Sequence, residues 1–206
     1  MADDATRTAP YEWRHDSGRM CLDLMATAES RDDGAEEGGG EPLAAPGGLV
    51  RWLLGAGLLP PGTALGAFAD AWAGRFAELR GWTDELVRAQ IDGRCAEPAL
   101  ERVNAVAAGP PPVIRAVPDA DGTLVRALGT APECGALLAA VARDVLELLT
   151  DPVARARLRE CQGERCHRVY LDTSRGRRRR WCSSEVCGNR ERVARHRRRA
   201  AAVTRV

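Results

Sequence analysis

Four cysteines constrain this chain more than any other feature. Cys161 and Cys166 have four residues between them, as do Cys182 and Cys187, and fifteen residues separate the two pairs. Matched pairs of this kind suit a tetrahedral zinc site. Each pair supplies two corners from one local turn, and the intervening chain brings the pairs together. Four thiolates fill the coordination sphere, which predicts one structural Zn2+ with no open position for a catalytic water. The surrounding segment offers Val169, Leu171, Trp181, Val186, Val193 and little else apolar, so a metal is expected to replace the missing core. Cys21, Cys95 and Cys134 stand alone and read as small core residues or unreactive thiols. His167 or His196 could substitute for a cysteine, but His167 adjoins Cys166 and would face the other side of a strand.

The same pattern in an oxidising compartment would suggest disulfides. The first residues, MADDATRTAPYEWRHD, place acidic groups where a secretory signal needs positive charge, and no apolar core follows them. The richest apolar stretch, Leu49 to Leu59, contains Arg51 and ends at Pro60-Pro61, far short of the ~20 residues that cross a membrane. A cytoplasmic, reducing location without membrane contact is therefore expected, and there clustered cysteines favour metal.

Charge divides the chain. All 30 basic residues are Arg. Residues 151–206 hold 17 Arg against 6 acidic residues, whereas residues 1–150 hold 13 Arg against 23. A basic end of this kind reads as a polyanion contact, and the guanidinium fork suits phosphate. The candidates form two groups, Arg177, Arg178, Arg179 and Arg180, then Asn189, Arg190, Arg192, Arg195, Arg197, Arg198 and Arg199. Docking of this end on the acidic body is the alternative.

The expected fold is mainly α. A helical N-terminal domain with one β-hairpin is followed by a small treble-clef-like zinc module, a β-hairpin plus a basic C-terminal helix. Residues 1–18 read as a flexible leader, 19–155 as the helical domain and 156–206 as the zinc finger. Residues 29–41, acidic and Gly-rich, read as a loop. Apolar spacing predicts helices over about 46–56, 64–91, 99–107 and 132–149, with Gly81 able to bend or split the second. Asp151-Pro152 predicts a capped helix to about Arg159. Alternating runs around Pro118–Gly122 predict a hairpin. Within the module, Cys161–Cys166 form a knuckle, Arg168–Leu171 a strand and Arg177–Trp181 its return strand. Ser183 or Ser184 caps a helix that carries Cys187 in its first turn, with Val193 and Ala200 on its inner side.

Cys187-Gly188-Asn189-Arg190 spells CGNR. With LDTSR from Leu171 and RRWCS from Arg179, the segment Arg157–Arg199 resembles the CGNR zinc finger family, and the resemblance implies zinc ligation by Cys161, Cys166, Cys182 and Cys187. GRMCLDLMAT at Gly18–Thr27 and EPLAAPGGLVRWL at Glu41–Leu53 resemble the ABATE domain, which usually precedes this finger. The chain departs from that domain's CLDFVNT motif in having Ala26 where Asn would stand. The resemblance implies a stress-induced transcription regulator.

A DNA-binding regulator is the leading expectation, with DNA ahead of RNA. The body would sense an unknown small-molecule effector or form a homodimer. An RNA- or ribosome-associated zinc protein and a protein–protein adaptor are the alternatives. An enzyme is not expected. His15, Asp16 and Asp23 are the polar candidates in the body, and no spacing assembles a nucleophile with its base.

Overall fold

Helical periodicity governs most of the chain. In the computed structural model, residues 13–28, 41–63, 69–164 and 166–203 are described. The helices are α1 (Met20–Met25), α2 (Gly48–Gly55), α3 (Ala69–Ile91), α4 (Glu97–Ala107), α5 (Cys134–Thr150), α6 (Pro152–Arg155) and α7 (Cys187–Val203). One hairpin, β1 (Ile114–Pro118) with β2 (Leu124–Leu128), joins α4 to α5. A second, β3 (Leu158–Glu160) with β4 (Val169–Leu171), follows α6.

The body is a helical core around α3 and α5, with α4 packed on both and α1 lying against both. Apolar side chains recurring every three or four residues put Phe76, Leu79, Leu137, Val141 and Leu148 inside, all essentially fully buried. The edge of Trp52 from α2 meets Phe76, with ring centroids 5.9 Å apart. α3 runs unbroken through Gly81, which is exposed and meets no neighbour that a side chain would need to fill. Leu65 and Phe68, expected on this helix, lie outside the described residues, as do residues 1–12 and 29–40.

α1 is buried from Cys21 to Met25, with only its first residue, Met20, half-exposed. It has no capping side chain of its own. Asp144 of α5 supplies one in trans, its carboxylate accepting the Cys21 amide (2.8 Å) and pairing with Arg19 (2.7 Å). No helix among the described residues is long and apolar enough to cross a membrane.

Three expectations are corrected. The capped helix from Asp151 ends at Arg155, because Leu158 is drawn into the body's core as part of a strand. The module's hairpin is not Arg168–Leu171 with Arg177–Trp181. The partner of β4 is β3, which precedes the cysteines, and Arg177–Arg180 return without strand structure. Part of the leader is packed: the Trp13 indole donates to the Gly48 carbonyl (2.9 Å), and Ser17 is buried.

Candidate metal centre and its arginine surface

β3 and β4 pair antiparallel, Leu158 with Leu171, Arg159 with Tyr170 and Glu160 with Val169. Strand side chains alternate faces. Leu158, Val169 and Leu171 therefore join the body's core, while Tyr170, fully buried, faces the cysteines. One more bond, from the Cys161 amide to the Arg168 carbonyl (2.9 Å), carries the ladder to the knuckle. The first cysteine pair thus sits at the tip of the second hairpin, on a wall shared with the body.

The second pair arrives through a loop held by side chains. The Asp172 carboxylate accepts the Ser174 amide (3.0 Å), the Ser174 hydroxyl (2.6 Å) and the Arg179 amide (3.1 Å). Arg177 takes a positive φ of 49°, which breaks any strand there. The Tyr170 hydroxyl donates to the Arg179 carbonyl (2.6 Å), and the Arg179 guanidinium lies 4.7 Å over the Tyr170 ring. Arg179 also donates to the carbonyls of Trp181 (2.8 Å) and Cys182. The Ser183 hydroxyl accepts the amides of Glu185 and Val186 (each 3.2 Å), leading into α7 with Cys187 as its first residue.

The four sulfurs all lie within 4.8 Å of one another. Cys166 and Cys182 are 3.7 Å apart and Cys182 and Cys187 3.5 Å, close to the edge of about 3.8 Å that a tetrahedron with ~2.3 Å zinc–sulfur bonds requires. Gly163 lets the knuckle close tightly, because a Cβ there would crowd Cys166 Cβ at 3.3 Å and rest in contact with Cys161 Sγ at 3.6 Å. The Cys182 amide donates to Cys161 Sγ (3.3 Å). The Cys161 thiol is driven far below its ordinary range by the Cys166 and Cys182 side chains and by backbone amides. Cys166 is driven far above it, first by Cys161. Four adjacent sulfurs resist a second negative charge, and a dication among them removes that resistance for the whole set. The donor set fits one structural zinc held by Cys161, Cys166, Cys182 and Cys187. His167 stands outside it, 3.6 Å from the Glu160 carboxylate, and His196 is exposed on α7.

The module is locked to the body by a residue that carries no pattern in the sequence. Arg168, 6% exposed, donates to the Ser17 hydroxyl (3.1 Å) and the Arg14 carbonyl (2.8 Å), and pairs with Asp16 (3.1 Å). Asp23 lies 4.0 Å away and accepts the Ser17 amide (2.9 Å). Burial raises the Asp23 carboxyl to about 6, although the Ser17 amide and Arg168 oppose the shift. The Leu171 amide bonds to the Ser17 carbonyl (2.8 Å), and Arg88 of α3 reaches Glu160 and the His167 carbonyl (each 3.0 Å). Asp-x-Ser is a turn-forming pattern. The roles of Arg168 and Tyr170 have no such local signature.

The predicted basic residues divide. Arg177, Arg178, Arg180, Asn189, Arg190, Arg192, Arg195, Arg197 and Arg198 are exposed. Arg179 is half-buried and engaged with Tyr170 and the loop carbonyls. Arg180 stacks 5.3 Å from the Trp181 ring and donates to Gln162 (2.7 Å). The Arg199 side chain lies outside the described residues. Val193, expected inside, is 42% exposed. Glu191 takes the place facing the knuckle and accepts the Glu164 amide (3.3 Å). Among the described residues, α7 meets the other elements chiefly at its start, where Cys187 is buried with Tyr170.

A helical body with a four-cysteine metal module fused to it defines a zinc-finger protein. The family model of the ABATE domain, described as "Putative stress-induced transcription regulator", matches residues 18–152, and that of the CGNR zinc finger matches residues 157–200. The chain belongs to the ABATE family and carries the CGNR zinc finger after its ABATE domain. No curated protein matches it.

Proposed function

We propose that this protein is a DNA-binding transcription regulator of the cytoplasm, in which zinc sets α7 and the Arg177–Arg180 loop against nucleic acid. One observation carries the reading: a 17-residue helix starting at the metal centre displays exposed arginines and stands clear of the body. So many like charges on one short helix repel each other, and a polyanion relieves that. The acidic body takes the part of sensing a ligand or pairing two copies.

The reading is of a binder, not an enzyme. Asp16 and Asp23 are engaged with Arg168, Asp16 also pairs with Arg14, and a side chain at Gly55 would collide with His15.

The test is binding of the zinc-loaded full chain to labelled duplex DNA at rising salt. About six phosphate contacts give a log–log slope near −5. A slope near zero would remove the electrostatic reading and leave a protein adaptor. Tighter binding to structured RNA would favour the RNA-associated alternative.

A further inference from the structure

We propose that α7 reads duplex DNA by sequence, through an outward stripe of Asn189, Val193 and His196 edged by arginine on both sides. The inference rests on the nucleic-acid reading above and deepens it.

Successive residues step about 100° round a helix. Cys187, Glu191 and Ala194 share the side facing the zinc site, where Cys187 is buried and Glu191 and Ala194 are half-buried. Asn189, Val193 and His196 fall on the opposite side, and all three are exposed. Arg192 and Arg197 lie about 70° to either side of that stripe by the same helical step. Arg192 also reaches the Ser184 carbonyl (3.4 Å). That contact places its flank beside an open cleft of about 320 Å³ lined by Arg178, Arg180, Ser183 and Ser184 together with the carboxylates of Asp16 and Glu185, so that it is mixed in charge rather than purely basic.

A helix coating a polyanion without regard to sequence needs charge on its central line. This one has the reverse: its central line is its least charged, with Arg192 and Arg197 at its edges, while Arg195 lies further round and Arg198 turns to the other side to pair with Glu191. Val193, 42% exposed on so polar a helix, belongs to neither apolar cluster among the described residues. In a major groove each part has a partner. Asparagine pairs with both edge atoms of adenine, an aliphatic side chain meets the thymine methyl, and imidazole donates to a purine N7. The flanking arginines, with those of the cleft, meet phosphates, which position the helix but carry no sequence information. The helix spans ~25 Å, longer than the groove's ~12 Å width. The deep, narrow groove of an RNA helix would exclude it.

The experiment selects from a random duplex DNA library with the zinc-loaded full chain, then measures Asn189→Ala, Val193→Ala and Arg197→Ala on the selected duplex and its single-base variants. Zinc content is measured for each protein. The expected result is an enriched motif containing adenine. Asn189→Ala should lose roughly 5- to 150-fold discrimination at one adenine with an unchanged salt slope. Val193→Ala should lose a smaller preference at a neighbouring thymine. Arg197→Ala should weaken every duplex alike and flatten the salt slope by about 1. Binding without an enriched motif, or Asn189→Ala weakening all duplexes equally, overturns this inference and leaves the nucleic-acid reading intact. Equal competition by an RNA duplex overturns it as well. No binding to any nucleic acid sinks the underlying reading first.

Discussion

The two β-hairpins have opposite characters. β1 and β2 are built by their own residues: five per strand in direct register, and a turn in which the Asp119 carboxylate accepts the amides of Asp121 and Thr123. They stand largely in water, with Ile114 59% and Leu124 70% exposed. β3 and β4 have three residues each, with too little local pattern to hold them. They exist because Leu158 and Val169 sink into the helical core while Tyr170 backs the cysteines. Local pattern suffices to make a hairpin, whereas burial on both faces makes a joint. The functional site rests on the joint.

Removing the metal breaks that joint from one side only, and the largest effect is expected there. Structural zinc contributes roughly 10–16 kcal/mol in comparable small modules. Hydrogen exchange of the full chain, before and after treatment with a strong chelator, should show protection lost from Asp172 to Val203. Protection in α3 and α5 should persist, as should that of the Leu171 amide, which bonds to Ser17. Unchanged exchange beyond Asp172 would mean that the metal is not structural.

The joint can also be broken from the body's side. Arg168→Ala removes the bonds to Ser17 and Arg14 and the ion pair with Asp16, and strips Asp23 of its nearest cation. Truncating one partner of a buried charge cluster costs on the order of 3–5 kcal/mol. Chemical denaturation with zinc present measures it, and a loss under 1 kcal/mol would show that the apolar wall alone holds the module.

What was legible in the sequence follows the same division. The four ligands, the first hairpin and the stripes of α3 and α5 announce themselves through spacing, because each depends on residues a few positions apart. The return strand is not legible in this way. Arg177–Trp181 looks like the natural partner for Arg168–Leu171, yet Asp172 gathers the loop's amides and Arg177 takes a left-handed turn. The short β3 was hidden for a related reason. Leu158 becomes a strand residue only through Leu171 and the core behind it, and neither contact is local. Apolarity alone would turn Val193 inward, whereas helical phase relative to Cys187 puts it outward. A metal ligand fixes a helix's phase more firmly than one valine does.

A smaller effect separates the joint's electrostatics from its packing. The Asp23 carboxyl is raised from 3.8 to about 6, chiefly by burial. The folded protein therefore holds this proton more tightly than the unfolded chain. Its stabilising contribution is complete below about pH 4 and is lost as pH rises through 6. The shift of about two units corresponds to on the order of 2–3 kcal/mol. Asp23→Asn should flatten the stability profile between pH 4 and 6, measured by urea denaturation across that range. A wild-type slope in the variant would assign the dependence to another group.

The smallest effect belongs to the first hairpin, which touches the body through Leu128 and through the bond from Arg126 to the Gly57 carbonyl. Gly122 closes its turn at φ +79°, a conformation that disfavours any side chain, and a Cβ there would meet no neighbouring atom within 4 Å. Gly122→Ala therefore carries backbone strain alone, about 1 kcal/mol. Because β1 and β2 bond only to each other within their sheet, the strain should appear as local opening. Exchange of the β1 and β2 amides should quicken about fivefold, with zinc content and the global denaturation midpoint nearly unchanged. A matching fall in the midpoint would mean that the first hairpin is coupled to the core as tightly as the second, and the contrast between them would not hold.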